Sequence, residues 1–152
     1  MSIEQKLAEL NIELPPMPKA AGAYVPSVKS GNMLYLSGQL PIKDGKVAFT
    51  GKVGSDVTIE DSQTAARYCI INALTVIKGA LGSLDNVKKI VKLEVFVNSA
   101  PGFTDQAIAA NGASLLLNEV FGDAGLHARA AVGVAELPLD AAVELAVIVE
   151  SL

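Results

Sequence analysis

Residues that build cross-links and metal centres are scarce in this sequence. Its 152 residues include one cysteine, Cys69, and one histidine, His127. A lone cysteine excludes a disulfide within the chain and is typical of proteins from a reducing compartment. Metal sites need several His, Cys or carboxylate ligands at short spacing, and no such spacing occurs. We therefore predict no metal site. Walker and Gly-x-Gly-x-x-Gly motifs are also missing.

Charged residues are also few. They make up 18% of the chain, with a formal net charge of −4, whereas typical soluble domains are about 25% charged. Proteins that bind nucleic acids neutralise phosphates with clustered lysines and arginines. The densest basic stretch, Lys88-Lys89 with Lys92, is better explained as the solvated face of a strand. We therefore expect no nucleic-acid partner.

Long hydrophobic runs are absent, although the chain as a whole is apolar. Hydrophobic residues make up 51% of it, and the mean hydropathy is +0.41. The longest uninterrupted apolar run, Leu145–Val149, is far shorter than the ~20 residues that a bilayer requires. No apolar signal core follows Met1, so we expect a cytoplasmic protein without a membrane partner. The surplus of apolar residues predicts a surface that other subunits cover.

The first part of the chain carries clear short-range signals. Ser2 and Gln5 have the spacing of a capping box, which predicts a short N-terminal helix. A proline cluster ends this helix and consists of Pro15, Pro16 and Pro18. Turn residues then predict two pairs of strands: Gly31 joins the segments 24–29 and 33–37, and Asp44-Gly45 joins a weaker pair.

Two amphipathic helices and three more strands complete the pattern. One helix begins after Thr58 and ends at Gly82, and a second runs from about Thr104 to Val120 with Gly112 in its middle. A half-buried strand, Val91–Val97, separates them. Arg129–Glu136 and Ala142–Glu150 are predicted to form a closing hairpin across the connection Leu137–Asp140.

This order predicts one α+β domain over residues 1–152, in which residues 1–21 form the N-terminal helix and a proline-rich lead-in. The two amphipathic helices would cover one face of a mixed β-sheet. The other face would lie bare, and bare apolar sheet faces typically meet another subunit.

Two charged residues stand in unusually apolar surroundings. Arg129 lies in a run of small apolar residues, and its forked donors suit a carboxylate. A strand-end arginine that reaches to water or pairs with an acid explains it equally well. Glu144 shares a strand face with Ala146 and Ile148, where a carboxyl tends to have a raised pKa, as a general acid or base would. An exposed glutamate at a strand edge is the alternative.

Cys69 and His127 have simpler explanations. Cys69 lies within the apolar stripe of the first amphipathic helix, which favours a buried, unreactive thiol over a nucleophile. His127 is the one imidazole available as a base, and no serine in a nucleophile elbow accompanies it. We interpret it as a polar residue of the loop before a strand.

These residues belong to a pattern that resembles the Rid family (reactive intermediate deaminases, also called the YjgF family and often labelled L-PSP endoribonuclease). The resemblance extends from about Gly22 to Val149, and the chain is similar to the longer subgroup of the family. It rests on the segments Gly22-Ala23-Tyr24, Leu36–Pro41, Gln63-Thr64 with Asn72, Val91–Val97, Ala128-Arg129-Ala130, and Leu137-Pro138 leading to Val143-Glu144.

The resemblance implies a chorismate-mutase-like α+β fold and a homotrimer with clefts between subunits. It also implies hydrolysis of enamine and imine intermediates, such as 2-aminoacrylate, to a 2-oxo acid and ammonia without a cofactor. By the resemblance, Arg129 grips the substrate carboxylate and Glu144 positions or activates water.

Further cleft residues follow from the same resemblance. Tyr24, Ser37 and Gly38 take cleft-lining positions, and Asn111 matches a polar helix residue of the family. Ala131 replaces a cysteine often found there, at a position that contributes mainly backbone contacts.

Two other functions remain open at this point. The protein could be a non-catalytic trimer that binds a small carboxylic acid or a protein client. The family label also suggests an endoribonuclease or translation inhibitor, which the negative charge and the lack of a basic patch or histidine pair disfavour.

Overall fold

A capping box begins the first helix, as predicted. In the computed structural model, which describes residues 1–19 and 22–152, α1 spans Ile3–Glu9. Ser2 Oγ accepts from the backbone N–H of Gln5, and Gln5 Oε1 accepts from that of Ser2. The lead-in after α1 packs along the next helix, where Thr75 Oγ1 donates to the Pro15 carbonyl at 2.9 Å.

The two predicted turns are confirmed. β1 (Ser27–Ser30) and β2 (Met33–Leu36) form an antiparallel hairpin, with β1 starting three residues after the predicted Tyr24. β3 (Ile42–Lys43) and β4 (Lys46–Val47) flank Asp44-Gly45. Both turn residues there have positive φ, 53° and 80°, a conformation that Asp and Gly tolerate in tight hairpins.

Both amphipathic helices form and pack on each other. α2 spans Ile59–Leu81 with Thr58 as its N-cap, and α3 spans Gln106–Phe121. Gly112 lies where the helices are closest, since a Cβ added there would be 2.1 Å from the Gln63 carbonyl oxygen. Close packing therefore explains this glycine.

The predicted C-terminal hairpin is wrong. β5 (Val87–Asn98) lies between β6 (Ala128–Val134) and β7 (Val143–Ser151), and the sheet order is β1-β2-β7-β5-β6. β6 is parallel to β5, and β7 is antiparallel to β5 and β2. A parallel pair needs a long crossover, which α3 supplies. The turn at Pro138–Asp140 therefore carries the chain past β5 instead of closing a hairpin.

Both long helices cover one face of this mixed sheet, which confirms the predicted α+β fold. The β7 side chains toward the helices are fully buried; they are Val143, Leu145, Val147 and Val149. No helix in the described part of the chain is long and apolar enough to cross a membrane.

No helix covers the other face of the sheet in the described part of the chain, and this face is largely apolar, as predicted. Val28, Tyr35 and Val132 are 56%, 45% and 47% exposed on it. Strand pairing places Tyr35 beside Val28 and Ile148, and Phe96 between Val132 and Glu144. We call the surface formed by these residues the open face.

Candidate functional site

The strand register directs Arg129 toward the helices. In β6, Arg129 is opposite Leu93 of β5, which is buried on the helix-covered side. Partners in register point to the same face of a sheet, so the Arg129 side chain reaches α3. There Nη1 donates to Asn111 Oδ1 at 2.8 Å and to Ser114 Oγ at 3.1 Å, and Nη2 donates to the Ala107 carbonyl at 3.3 Å. The structure thus joins the predicted Arg129 and Asn111.

The sequence of α3 explains why three acceptors converge. Ala107, Asn111 and Ser114 are spaced by four and three residues, so they share one flank of the helix. We call these residues together with Arg129 the arginine group.

The charge of Arg129 has no acidic partner. All three acceptors are uncharged, and the ion pairs found among residues 1–19 and 22–152 involve lysines only. A guanidinium has five N–H donors, of which both on Nη1 and one on Nη2 are used. The exposed Arg129 therefore keeps Nε–H and one Nη2–H for a ligand. This arrangement suits an anion with two oxygens, such as a carboxylate.

Glu144 lies on the opposite face of the sheet. It is half-buried, and Gly38 lies directly over it, since a Cβ added to Gly38 would be 3.0 Å from Glu144 Oε2. Backbone hydrogen bonds fix this approach: Gln39 N donates to Leu145 O at 2.7 Å, and Leu145 N donates to Gln39 O at 3.1 Å. Burial raises the pKa of the Glu144 carboxyl, which brings its ionisation closer to neutral pH.

Ser37 connects Glu144 and Gly38 to the segment that carries Tyr24. Ser37 Oγ donates to the Val25 carbonyl at 2.6 Å, and Ser37 N donates to the Pro26 carbonyl at 2.9 Å. The Tyr24 side chain is 54% exposed, so its ring is free to contact a ligand. We call Tyr24, Ser37, Gly38 and Glu144 the glutamate group.

The two groups do not meet within one chain. Arg129 belongs to the helix-facing side of the sheet with Leu93, whereas Glu144 belongs to the open face with Phe96. Ala131 is opposite the buried Val95 and packs against the core, on the same side as Arg129. The predicted catalytic residues therefore lie in two separate groups on opposite faces of the sheet.

Sequence reasoning missed two contacts near Arg129. Ser114 was not predicted as a site residue, and His127 was interpreted only as a loop residue. His127 does precede β6, but its Nε2 lies 2.9 Å from Ser114 Oγ and its Nδ1 lies 2.6 Å from the Gly125 carbonyl. The spacing of Ser114 from Asn111 on a predicted helix was the available signal.

Cys69 is a core thiol, as predicted. It is fully buried, and its Sγ lies 3.8 Å from the Val143 carbonyl. Burial, with the nearby charge of Glu144 as a smaller cause, raises the pKa of the Cys69 thiol well above its usual value. The thiol is therefore protonated near neutral pH. The described residues contain no cluster of His, Cys, Asp and Glu that could hold a metal ion.

Comparison with known proteins agrees with this fold. The family described as "YjgF/chorismate mutase-like, putative endoribonuclease" matches residues 4–150. The protein TCP17 of Trypanosoma cruzi is 48% identical over 149 residues, which cover 97% of this chain and 93% of that protein. A crystal structure from Shewanella oneidensis, of a "putative endoribonuclease", superposes with a TM-score of 0.96 at 33% identity and covers 99% of both chains.

One relative has a name that states an activity. The 2-iminobutanoate/2-iminopropanoate deaminase of Escherichia coli is 33% identical over 128 residues, which cover 84% of this chain and 87% of that enzyme. The chain therefore belongs to the YjgF/chorismate-mutase-like family, the Rid family that its sequence resembles.

Proposed function

We propose that the protein is a deaminase that hydrolyses reactive enamine and imine intermediates of the 2-aminoacrylate type to 2-oxo acids and ammonia. One observation carries the proposal: the exposed guanidinium of Arg129 is held by uncharged acceptors and keeps two donors for a carboxylate. The name of the Escherichia coli relative supports the reaction class.

The proposed enzyme is a homotrimer with its clefts between subunits. The open face supports an assembly, because exposed apolar side chains on a sheet typically meet another protein surface. The separation of the arginine group from the glutamate group supports an assembly as well. In this proposal, the arginine group of one copy faces the glutamate group of its neighbour.

In the proposed reaction, Arg129 binds the substrate carboxylate and thereby orients the adjacent imine carbon. An enamine substrate first takes a proton from solvent at its terminal carbon and becomes the protonated imine. Water adds to the imine carbon while the electrons of the C=N π bond move to nitrogen, and Glu144 accepts the proton that the water oxygen loses, which leaves a carbinolamine. Glu144 returns this proton to the nitrogen, the C–N bond breaks as the C=O bond forms, and the hydroxyl proton passes back to Glu144, so that ammonia and a 2-oxo acid leave. Imine hydrolysis needs little more than such orientation and proton transfer.

The test supplies 2-aminoacrylate from a serine dehydratase and follows pyruvate release above the spontaneous rate. We expect Arg129→Ala to lower kcat/KM roughly 10²–10⁴-fold, because each of the two hydrogen bonds to the charged carboxylate contributes roughly 1.5–3 kcal/mol. The chain has two arginines, so Arg67→Ala is the matched control and should leave the rate unchanged. Equal rates for wild type and Arg129→Ala would overturn the proposal.

A binding module is the second candidate, and it also uses the free donors of Arg129. If the wild type bound pyruvate at equilibrium but did not accelerate pyruvate release from 2-aminoacrylate, the protein would be a carboxylate-binding protein without turnover.

A further inference from the structure

We propose that Ser114 and His127 are positioning residues, which hold the guanidinium of Arg129 through a hydrogen-bond relay that starts at the Gly125 carbonyl. The inference rests on the proposed function in one respect, namely that Arg129 binds the substrate carboxylate. It adds Ser114, which contacts Arg129 directly, and His127, which acts through the Ser114 hydroxyl.

The direction of each hydrogen bond in the relay follows from the chemistry of its atoms. A carbonyl only accepts, so His127 Nδ1 carries the hydrogen that points to Gly125 O at 2.6 Å. The proposed relay requires an uncharged imidazole, and such a ring with its hydrogen on Nδ1 accepts at Nε2. The hydroxyl of Ser114, 2.9 Å away, donates its single hydrogen to that nitrogen. The lone pairs of Ser114 Oγ are then left for Arg129 Nη1, 3.1 Å away.

This relay determines how the Ser114 hydroxyl acts toward Arg129. A serine hydroxyl rotates freely and either donates or accepts, but here His127 takes its hydrogen. Ser114 is therefore a fixed acceptor, and together with Asn111 it binds both hydrogens of Nη1. The Nε and Nη2 hydrogens that remain are then presented in one orientation.

The local fold holds the far end of the relay in place. Gly125 ends the 3₁₀ turn Gly122–Gly125 that follows α3, and it is buried against that helix. A Cβ added to Gly125 would lie 2.2 Å from the Leu117 carbonyl oxygen, so glycine permits this close approach. The turn thereby brings its carbonyl to Nδ1 of the His127 ring, while Ser114 lies at Nε2.

A preorganised arginine should favour ligand binding more than the chemical step. Without the relay, the exposed guanidinium would keep only its hydrogen bonds to Asn111 and Ala107. It would then sample more rotamers, and the ligand would have to order it. Loss of Ser114 or His127 should therefore raise KM for the imine and Kd for pyruvate, with a smaller change in kcat.

The kinetic test compares Ser114→Ala and His127→Ala with wild type. We expect KM to rise roughly three- to tenfold, the loss of about one hydrogen bond, while kcat changes less than about twofold. In His127→Gln the side-chain oxygen keeps an acceptor for the Ser114 hydroxyl, so KM should return toward the wild-type value. Ser55→Ala, which removes an exposed turn hydroxyl, is the control and should have no effect.

A spectroscopic test observes the Arg129 guanidinium directly. Since Arg67 and Arg129 are the two arginines, a ¹H–¹⁵N spectrum of the guanidinium groups holds two sets of signals. We expect resolved Nη signals for Arg129 in the wild type, because its hydrogen bonds hinder rotation, and averaged signals in Ser114→Ala and His127→Ala. The signals of Arg67 should not change.

The two proposals fail in different ways. If Arg129→Ala abolishes activity while Ser114→Ala and His127→Ala match wild type in KM and in the Arg129 signals, the relay is overturned and the deaminase stands. If the wild type does not accelerate pyruvate release, the deaminase is overturned. Averaged Arg129 signals in both relay variants would then still support the relay.

Discussion

Glu144 lies half-buried beneath Gly38, and burial raises the pKa of its carboxyl. In the proposed reaction the carboxylate is the active form, so kcat/KM should rise with pH as Glu144 loses its proton. This rise is the acid limb of the pH profile. Because the pKa of Glu144 is raised, the acid limb should lie at a pH above the usual pKa range of a glutamate. The measurement is kcat/KM across acidic and neutral pH.

Glu144→Gln is the matching variant, since glutamine preserves shape and cannot take the proton. It should lower kcat by roughly 10²–10⁴-fold, the usual contribution of a general acid or base. The remaining activity should show no such limb. An unchanged acid limb in Glu144→Gln would assign it to another group and contradict this role.

The sequence draws attention to single residues whose surroundings are unusual. Arg129 and Glu144 stand out because both are charged and lie between small or apolar neighbours in strands. Ser114 has no unusual surroundings, and only its helical spacing from Asn111 indicates it. Its proposed role depends on where the turn at Gly125 places the His127 ring. That placement comes from packing of the turn on α3, which no local pattern encodes.

Replacement of Gly112 tests the packing of α2 against α3. Alanine favours a helix by roughly 1 kcal/mol over glycine, but at Gly112 its Cβ would lie 2.1 Å from the backbone oxygen of Gln63. We therefore expect Gly112→Ala to lower the free energy of unfolding by about 1–3 kcal/mol, as overpacking does. Urea unfolding followed by circular dichroism measures it.

Gly79 of α2 provides the control for this prediction. A Cβ added to Gly79 meets only the methyl end of Met17, which is flexible and can move aside. Gly79→Ala should therefore be neutral or stabilising by up to about 1 kcal/mol. If both variants changed stability alike, helix propensity and not the helix contact would explain Gly112.

Local chemistry predicts the elements, whereas their order in the sheet depends on distant pairing. The capping box at Ser2, the N-cap at Thr58 and the turn at Gly31 act within a few residues, so the pattern indicates them directly. The place of β5 between β6 and β7 depends on the α3 crossover. Strands that are adjacent in sequence are often neighbours in the sheet, which is why a hairpin was predicted. The prediction was wrong because β5 lies between the two strands.

A substitution on the open face tests the proposed assembly. Val132 lies on it and is 47% exposed, so a lysine there should prevent close contact between copies. The wild type should sediment as a trimer of a 15.7 kDa chain, and Val132→Lys should shift it to smaller species. Met17 is the control, because it is 46% exposed and lies on the lead-in, away from this face. The Met17→Lys variant should stay trimeric.

The most direct test of the central claim mixes two inactive variants. If Arg129 of one copy works with Glu144 of another, Arg129→Ala and Glu144→Gln chains that assemble together form some clefts with both residues intact. Random assembly at equal amounts makes about one cleft in four intact. We therefore predict that refolding the two variants together restores on the order of a quarter of the wild-type pyruvate release. Activity no greater than the sum of the separate variants would contradict the account.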